Sequence, residues 1–148
     1  MKIIATNKRA NYDYDISLKL DAGLVLNGSE VKSLRNNSSS IKESYVEDIA
    51  SELWLCNCFI KKYESSSEKD NNPTRKRKLL LNKKESNKIL GSVKKDGYSI
   101  IPIMMYFSDS GFIKLNIGLG KGKKKYDKRE SQKMKDWNKN KDRLLKNK

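Results

Sequence analysis

A chain of 148 residues, 36% of them hydrophobic, has room for one compact core with or without a tail. Its 33 Lys+Arg against 18 Asp+Glu leave a net charge of +15, the electrostatic footprint of a polyanionic partner. Histidine is absent, which excludes Ser-His and Cys-His nucleophile pairs and any His-containing metal site.

No apolar run approaches the roughly 20 residues of a membrane-spanning helix. The opening Met1-Lys2-Ile3-Ile4-Ala5-Thr6-Asn7 lacks the apolar stretch of a secretory signal, so a cytoplasmic protein is expected. Residues 14–20 alternate apolar and polar, as a half-buried strand does. Asp21-Ala22-Gly23 reads as a turn, with another strand beginning at residues 24–26. Ser29 could cap a short helix over residues 29–35 that buries Val31 and Leu34. Residues 36–40 read as a polar loop and residues 53–60 as a mostly apolar strand. Residues 64–74 are polar and without periodicity, which predicts a surface loop.

Leu79-Leu80-Leu81 fits either a strand or a buried helix. Asn82 with Glu85 three positions on resembles a capping box, predicting a helix near residues 83–90 with Gly91 as its stop. Residues 98–107 and 112–119, joined by the turn 108–111, form a hairpin. At least five short strands and one or two helices predict a mainly β fold, a small barrel of the OB type over residues 1–120. A basic tail, residues 121–148, follows.

Charge concentrates in two places. The last 28 residues carry 13 Lys+Arg and 4 Asp+Glu, more than half of the net charge. A second run is Arg75-Lys76-Arg77-Lys78. Both are candidates for phosphate contacts, while a solvated or membrane-surface tail remains an alternative. The tail's apolar stripe of Met134, Trp137, Leu144 and Leu145 is thin for a membrane, which favours nucleic acid.

Cys56-Asn57-Cys58 would put both thiols on one strand face, either as a metal or redox pair or as two reduced buried thiols. Two sulfurs alone cannot close a tetrahedral zinc site. Gly118-Leu119-Gly120-Lys121-Gly122-Lys123-Lys124 fails as a P-loop, because Ile117 and Lys124 stand where Gly and Ser/Thr are needed. Its glycines either bring the backbone close to RNA phosphates or serve as a hinge. Asp13, Asp15, Asp21 and Glu30 could be a metal-nuclease set or simply solvated. Trp54 reads as core, whereas Trp137, between Asp136 and Asn138, has little local core to join and suits a partner surface.

Together these segments resemble the SmpB family, the small protein B that binds tmRNA in bacterial trans-translation. The matching runs are Asn7-Lys8-Arg9-Ala10 with Tyr14, then Ala22-Gly23-Leu24-Val25-Leu26, Gly28 and Glu30-Val31-Lys32-Ser33-Leu34-Arg35. Glu43-Ser44-Tyr45, Pro73-Thr74-Arg75 and Arg77-Lys78-Leu79-Leu80-Leu81 follow. The most specific is Lys121-Gly122-Lys123-Lys124 with Tyr126-Asp127-Lys128-Arg129.

The resemblance implies an OB-type barrel that binds the tRNA-like domain of tmRNA, with Asn7, Asp21, Leu80 and Lys114 supporting RNA binding. It implies a tail, disordered when free, that folds as a helix in the empty mRNA channel of a stalled ribosome, against small-subunit RNA. There Asp127, Lys128 and Arg129 would serve tagging and Tyr126 would stack in the decoding centre. Further implied partners are the complex of elongation factor Tu with alanyl-tmRNA; the protein would be a monomer without cofactor, metal or catalytic residues. Departures include Asp21 where Glu is common, and Gly120 where alanine is usual, which would loosen the joint between barrel and tail. Competing readings are an OB-fold nuclease using the acidic residues and a generic basic RNA-binding protein. As a helix, residues 127–145 would span roughly 28 Å at 1.5 Å per residue, capped by Asp127, and self-repulsion among their lysines would leave it marginal in isolation.

Overall fold

The alternating hydrophobicity of the chain resolves into nine strands and three helices, with a further helical segment at residues 133–139, in the computed structural model, which describes residues 1–36, 39–63, 72–123 and 133–139. The strands are β1 (Lys2–Thr6), β2 (Tyr14–Leu24), β3 (Ser39–Ser40), β4 (Tyr45–Ile49), β5 (Glu52–Cys56), β6 (Phe59–Ile60), β7 (Arg77–Leu80), β8 (Ser99–Phe107) and β9 (Ile113–Gly122). The helices are α1 (Ala10–Asp13), α2 (Gly28–Asn36) and α3 (Lys83–Asp96). Seven strands form one sheet in the order β1-β8-β9-β2-β7-β5-β4, and β3 pairs with β6. The sheet curls until β4 lies against β8, giving the mainly β, barrel-type fold expected.

Inside the curl, Ala22, Leu55, Met105, Leu115 and Ile117 are fully buried, with Leu34 of α2 and Ile89 of α3 closing the core. The β8–β9 hairpin forms as expected, from Phe107 opposite Ile113 to Ser99 opposite Gly120. Pro102, which has no N–H for a ladder, sits at the irregularity of β8.

Four local expectations are corrected. Residues 21–23 make no turn: β2 runs unbroken to Leu24 because its long partner β9 pairs with it from Tyr14 to Gly23. Gly91 does not stop α3, which continues to Asp96 and ends at Gly97 in the left-handed conformation, φ 69°. The capping box of Asn82 and Glu85 is present. The apolar stretch 53–60 is interrupted at Asn57, φ 56°, so β5 and β6 are separate strands. Gly118 and Gly120 are neither a hinge nor an approach to phosphate. Both are buried within β9, where a Cβ on Gly120 would lie 2.9 Å from the backbone oxygen of Asp15. That contact explains glycine there by packing.

The β4–β5 hairpin turns through Ala50 (φ 51°) and Ser51 (φ 66°), with Ile49 paired to Glu52. Two successive positive φ values define a turn that favours Asn-Gly, and neither Ala nor Ser adopts them cheaply. Replacing Ala50-Ser51 by Asn-Gly is expected to stabilise the fold by about 1 kcal/mol. Thermal melting of the variant checks this as a rise of a few degrees in Tm.

Candidate nucleic-acid interface

Five cross-strand partners line up across the outer face of the sheet: Leu80 (β7), Gly23 (β2), Lys114 (β9), Tyr106 (β8) and Ile3 (β1). Directly opposed residues share a face, so this is one continuous row. Leu80 is 52% exposed, so it is not a core leucine. One step along, Asp21 faces Asn116, which in turn faces Met104. Asp21 accepts a hydrogen bond from Asn116 Nδ2 at 3.0 Å. The Tyr106 hydroxyl has its pKa raised by burial and then by this carboxylate. The exposed carboxylate is therefore oriented by its neighbour across the strands.

Three of the expected residues, Asp21, Leu80 and Lys114, thus come together. Beside them opens a groove of about 410 Å³ lined by Leu24, Leu26, Val31, Leu80, Phe112 and Lys114. Sequence reasoning missed Phe112, Tyr106 and Asn116. The register of the β8–β9 hairpin would have placed Tyr106 beside Lys114, whereas Asn116 meets Asp21 through the β2–β9 pairing.

Asn7 lies elsewhere, beyond β1 at the far sheet edge. Its Nδ2 donates to the Pro102 carbonyl at 3.0 Å, and its backbone N–H donates to Ile103. It lines a separate groove with Arg9, Asp13, Lys42 and Tyr45. The start of the tail adjoins that groove, where Lys123 N donates to the Asp13 carbonyl. Lys121 sits with its ammonium 4.9 Å above the Tyr98 ring, and Gly122 closes the ladder opposite Tyr14. In the tail, residues 133–139 are helical, Lys135 lies 5.6 Å over the Tyr12 ring, and Trp137 is exposed. Lys124, Tyr126, Asp127, Lys128, Arg129, Leu144 and Leu145 lie outside the described residues.

The basic run at 75–78 requires a correction. Arg77 is 0% exposed and cannot touch a phosphate. Its Nε donates to Glu30 Oε2 at 2.5 Å, and its other nitrogens donate to the carbonyls of Cys58 (2.7 Å) and Pro73 (3.1 Å). Arg75 also turns inward to Glu30. The physical reason is strand alternation: neighbouring residues of β7 face opposite sides, so Arg77 and Lys78 cannot both face solvent, and Arg75, ahead of the strand, is drawn in by the Glu30 charge. Lys76 and Lys78 face outward, beside Glu47 and Glu52.

Glu30 is set by α2 itself. Asn27 Oδ1 accepts from the Glu30 N–H (2.9 Å) and Glu30 Oε1 accepts from the Asn27 N–H (3.0 Å). Asn27, and not Ser29, is therefore the cap, and the Asn-x-x-Glu spacing was its signal. Burial pushes the Glu30 carboxyl up, but the Arg75 and Asn27 hydrogen bonds and the Arg77 charge hold it below its ordinary value.

The other carboxylates are dispersed. Asp13 belongs to α1, not to a strand face shared with Asp15, and pairs with Arg9. Among the described residues no group of three or more Cys, Asp or Glu is placed to hold a metal ion. Cys56 and Cys58 are free and buried. Burial pushes the Cys58 thiol up to about 11 and raises that of Cys56, so neither is a thiolate near neutral pH.

The SmpB protein family model matches residues 4–147. The chain belongs to this family. An SsrA-binding protein of Ehrlichia ruminantium is 50% identical over 145 residues, 98% of each chain. Another from Rickettsia bellii is 48% identical over 147 residues, 99% of this chain and 97% of that one. A chain of the solved structure "tmRNA-SmpB: a journey to the center of the bacterial ribosome" matches with TM-score 0.65 and 39% identity. The match covers 84% of this chain and 91% of that one.

Removing the Glu30 charge is expected to leave Arg77 buried and unpaired. Glu30→Ala should therefore cost about 3–5 kcal/mol, read in a denaturant melt. Because the folded-state pKa is lowered, the wild-type pairing is fully present above the ordinary carboxylate value, near 4.3. It is lost as pH falls through the folded value. An acid titration should show this loss in wild type and not in Glu30→Ala.

Proposed function

We propose that this protein is a non-enzymatic tmRNA-binding factor of trans-translation. Its outer sheet face binds the tRNA-like domain of tmRNA, and its basic tail acts afterwards in the empty mRNA channel and decoding centre of a stalled ribosome. The nascent peptide is then tagged for degradation and the ribosome released. The observation that carries the reading is the single row joining Leu80, Gly23 and Lys114 beside the oriented Asp21. A cation, an apolar platform and an oriented acceptor together suit structured RNA, offering phosphate attraction, a base-packing surface and an acceptor for 2′-hydroxyl or base N–H groups. Family membership and the names of the relatives support the same partner.

Division of labour between barrel and tail follows from charge. The tail holds more than half of the net charge, and its SmpB-like motif Asp127-Lys128-Arg129 lies beyond the last strand. Association with elongation factor Tu on alanyl-tmRNA, a monomeric state and a cytoplasmic location belong to this proposal.

Lys114→Glu is expected to weaken binding of a tRNA-like transcript about tenfold or more. It should also make the slope of log affinity against log salt shallower by about one unit. A salt titration by filter binding measures both, and an unchanged slope removes Lys114 from the phosphate contacts. The tail gives a separate expectation. Asp127→Ala/Lys128→Ala/Arg129→Ala should melt normally and bind tmRNA within a few fold, yet fail to support tagging in a reconstituted reaction stalled on an mRNA lacking a stop codon. Tagging at the wild-type rate would overturn the tail's role.

A further inference from the structure

Phe112 is 68% exposed, more than any other aromatic residue of the barrel. Its backbone is nonetheless tied on both sides. The Phe112 N–H donates to Ser108 Oγ at 3.1 Å, and its carbonyl accepts the Ser108 N–H at 2.8 Å. Gly111, at φ 86°, makes the reversal that this closure needs. A large ring is thus presented to solvent by a hydrogen-bonded turn at no gain to the core.

The ring borders the groove whose other walls are Leu24, Leu26, Val31 and Leu80, with the Lys114 ammonium chain at its edge. Gly23 matters to this floor: a Cβ there would lie 3.3 Å from Leu80 Cβ, so glycine leaves room for the close approach of Leu80 to β2. An apolar slot with an aromatic wall and a cation beside it, on a chain of charge +15, fits a planar ring attached to a phosphate backbone. A protein partner would not require a cation at the edge of the slot.

We infer that Phe112 and Leu80 form a seat for one unpaired nucleobase of the bound RNA, with the base stacked on the Phe112 ring. This deepens the proposed function and rests on its assignment of the outer face to RNA. Stacking contacts a base and not a phosphate, so it contributes affinity without releasing counterions. That separates it from Lys114.

The test is a salt titration of tRNA-like transcript binding to the full chain carrying Phe112→Ala, Phe112→Leu or Phe112→Trp. Phe112→Ala should lose about tenfold in affinity at every salt concentration with the wild-type slope, and Phe112→Leu should recover only part of that loss. Phe112→Trp should keep the affinity, and its emission above the Trp54 and Trp137 background should be quenched by RNA. Full rescue by Leu, a changed slope, or an unquenched Trp would overturn the seat. So would an unchanged RNA affinity for Phe112→Ala, including the case where that variant alters only self-association in sedimentation. Failure of wild type itself to bind the transcript would instead overturn the proposed function, and the seat with it.

Discussion

The buried carboxylate of Glu30 organises the part of the molecule on which the rest depends. It caps α2 through Asn27, then bridges Arg75 and Arg77 at the start of β7. Arg77 in turn satisfies the carbonyls of Cys58 and Pro73, tying β6 and the segment before β7 to the same point. Ser33 of α2 adds a hydrogen bond to the Lys61 carbonyl. A charge taken out of water needs such pairing, which Glu30 and Arg77 have while the buried Arg75 Nε is left without a hydrogen-bond partner, so the Glu30–Arg77 pair specifies one arrangement of α2, β6 and β7.

That arrangement decides where β7 sits. It lies between β2 and β5, and its register sets Leu80 opposite Gly23. The outer row through Lys114 and Tyr106 to Ile3 follows from the register of β2, β9, β8 and β1. Two cations of the basic run are thus spent on fixing the strand, while the outer face gains its apolar platform. On the outer row the cation is Lys114, whereas Lys76 and Lys78 face outward beside Glu47 and Glu52.

The sequence made part of this legible. Alternation in residues 14–20, where one side faces the core, and the turn at residues 108–111 exposed the central strands. Asn82 and Glu85 marked a helix start by a spacing whose mechanism is local. The charge run at 75–78 misled, since counting cations ignores the period of two that turned Arg77 inward. The β4–β5 hairpin was not foreseen, because Ala50-Ser51 occupies a turn that ordinarily announces itself with Asn-Gly. The turn wrongly expected at residues 21–23 shows tertiary pairing with β9 overriding a local Asp and Gly. For the interface, Asp21, Leu80 and Lys114 were reached through the resemblance, and their union in one patch needed the register. Asn7 shared the resemblance but not the patch, its amide being used to hold β1 against β8.

The central claim is that RNA engages the outer row and not the Asn7 groove or the tail alone. Amide-resolved NMR of the full chain, titrated with the tRNA-like domain of tmRNA, tests it most directly. The account predicts the largest shifts or broadening at Gly23, Leu80, Tyr106, Lys114 and Asn116. Perturbation confined to Arg9, Lys42 and Tyr45, or to the tail, with the outer row unmoved, would contradict it.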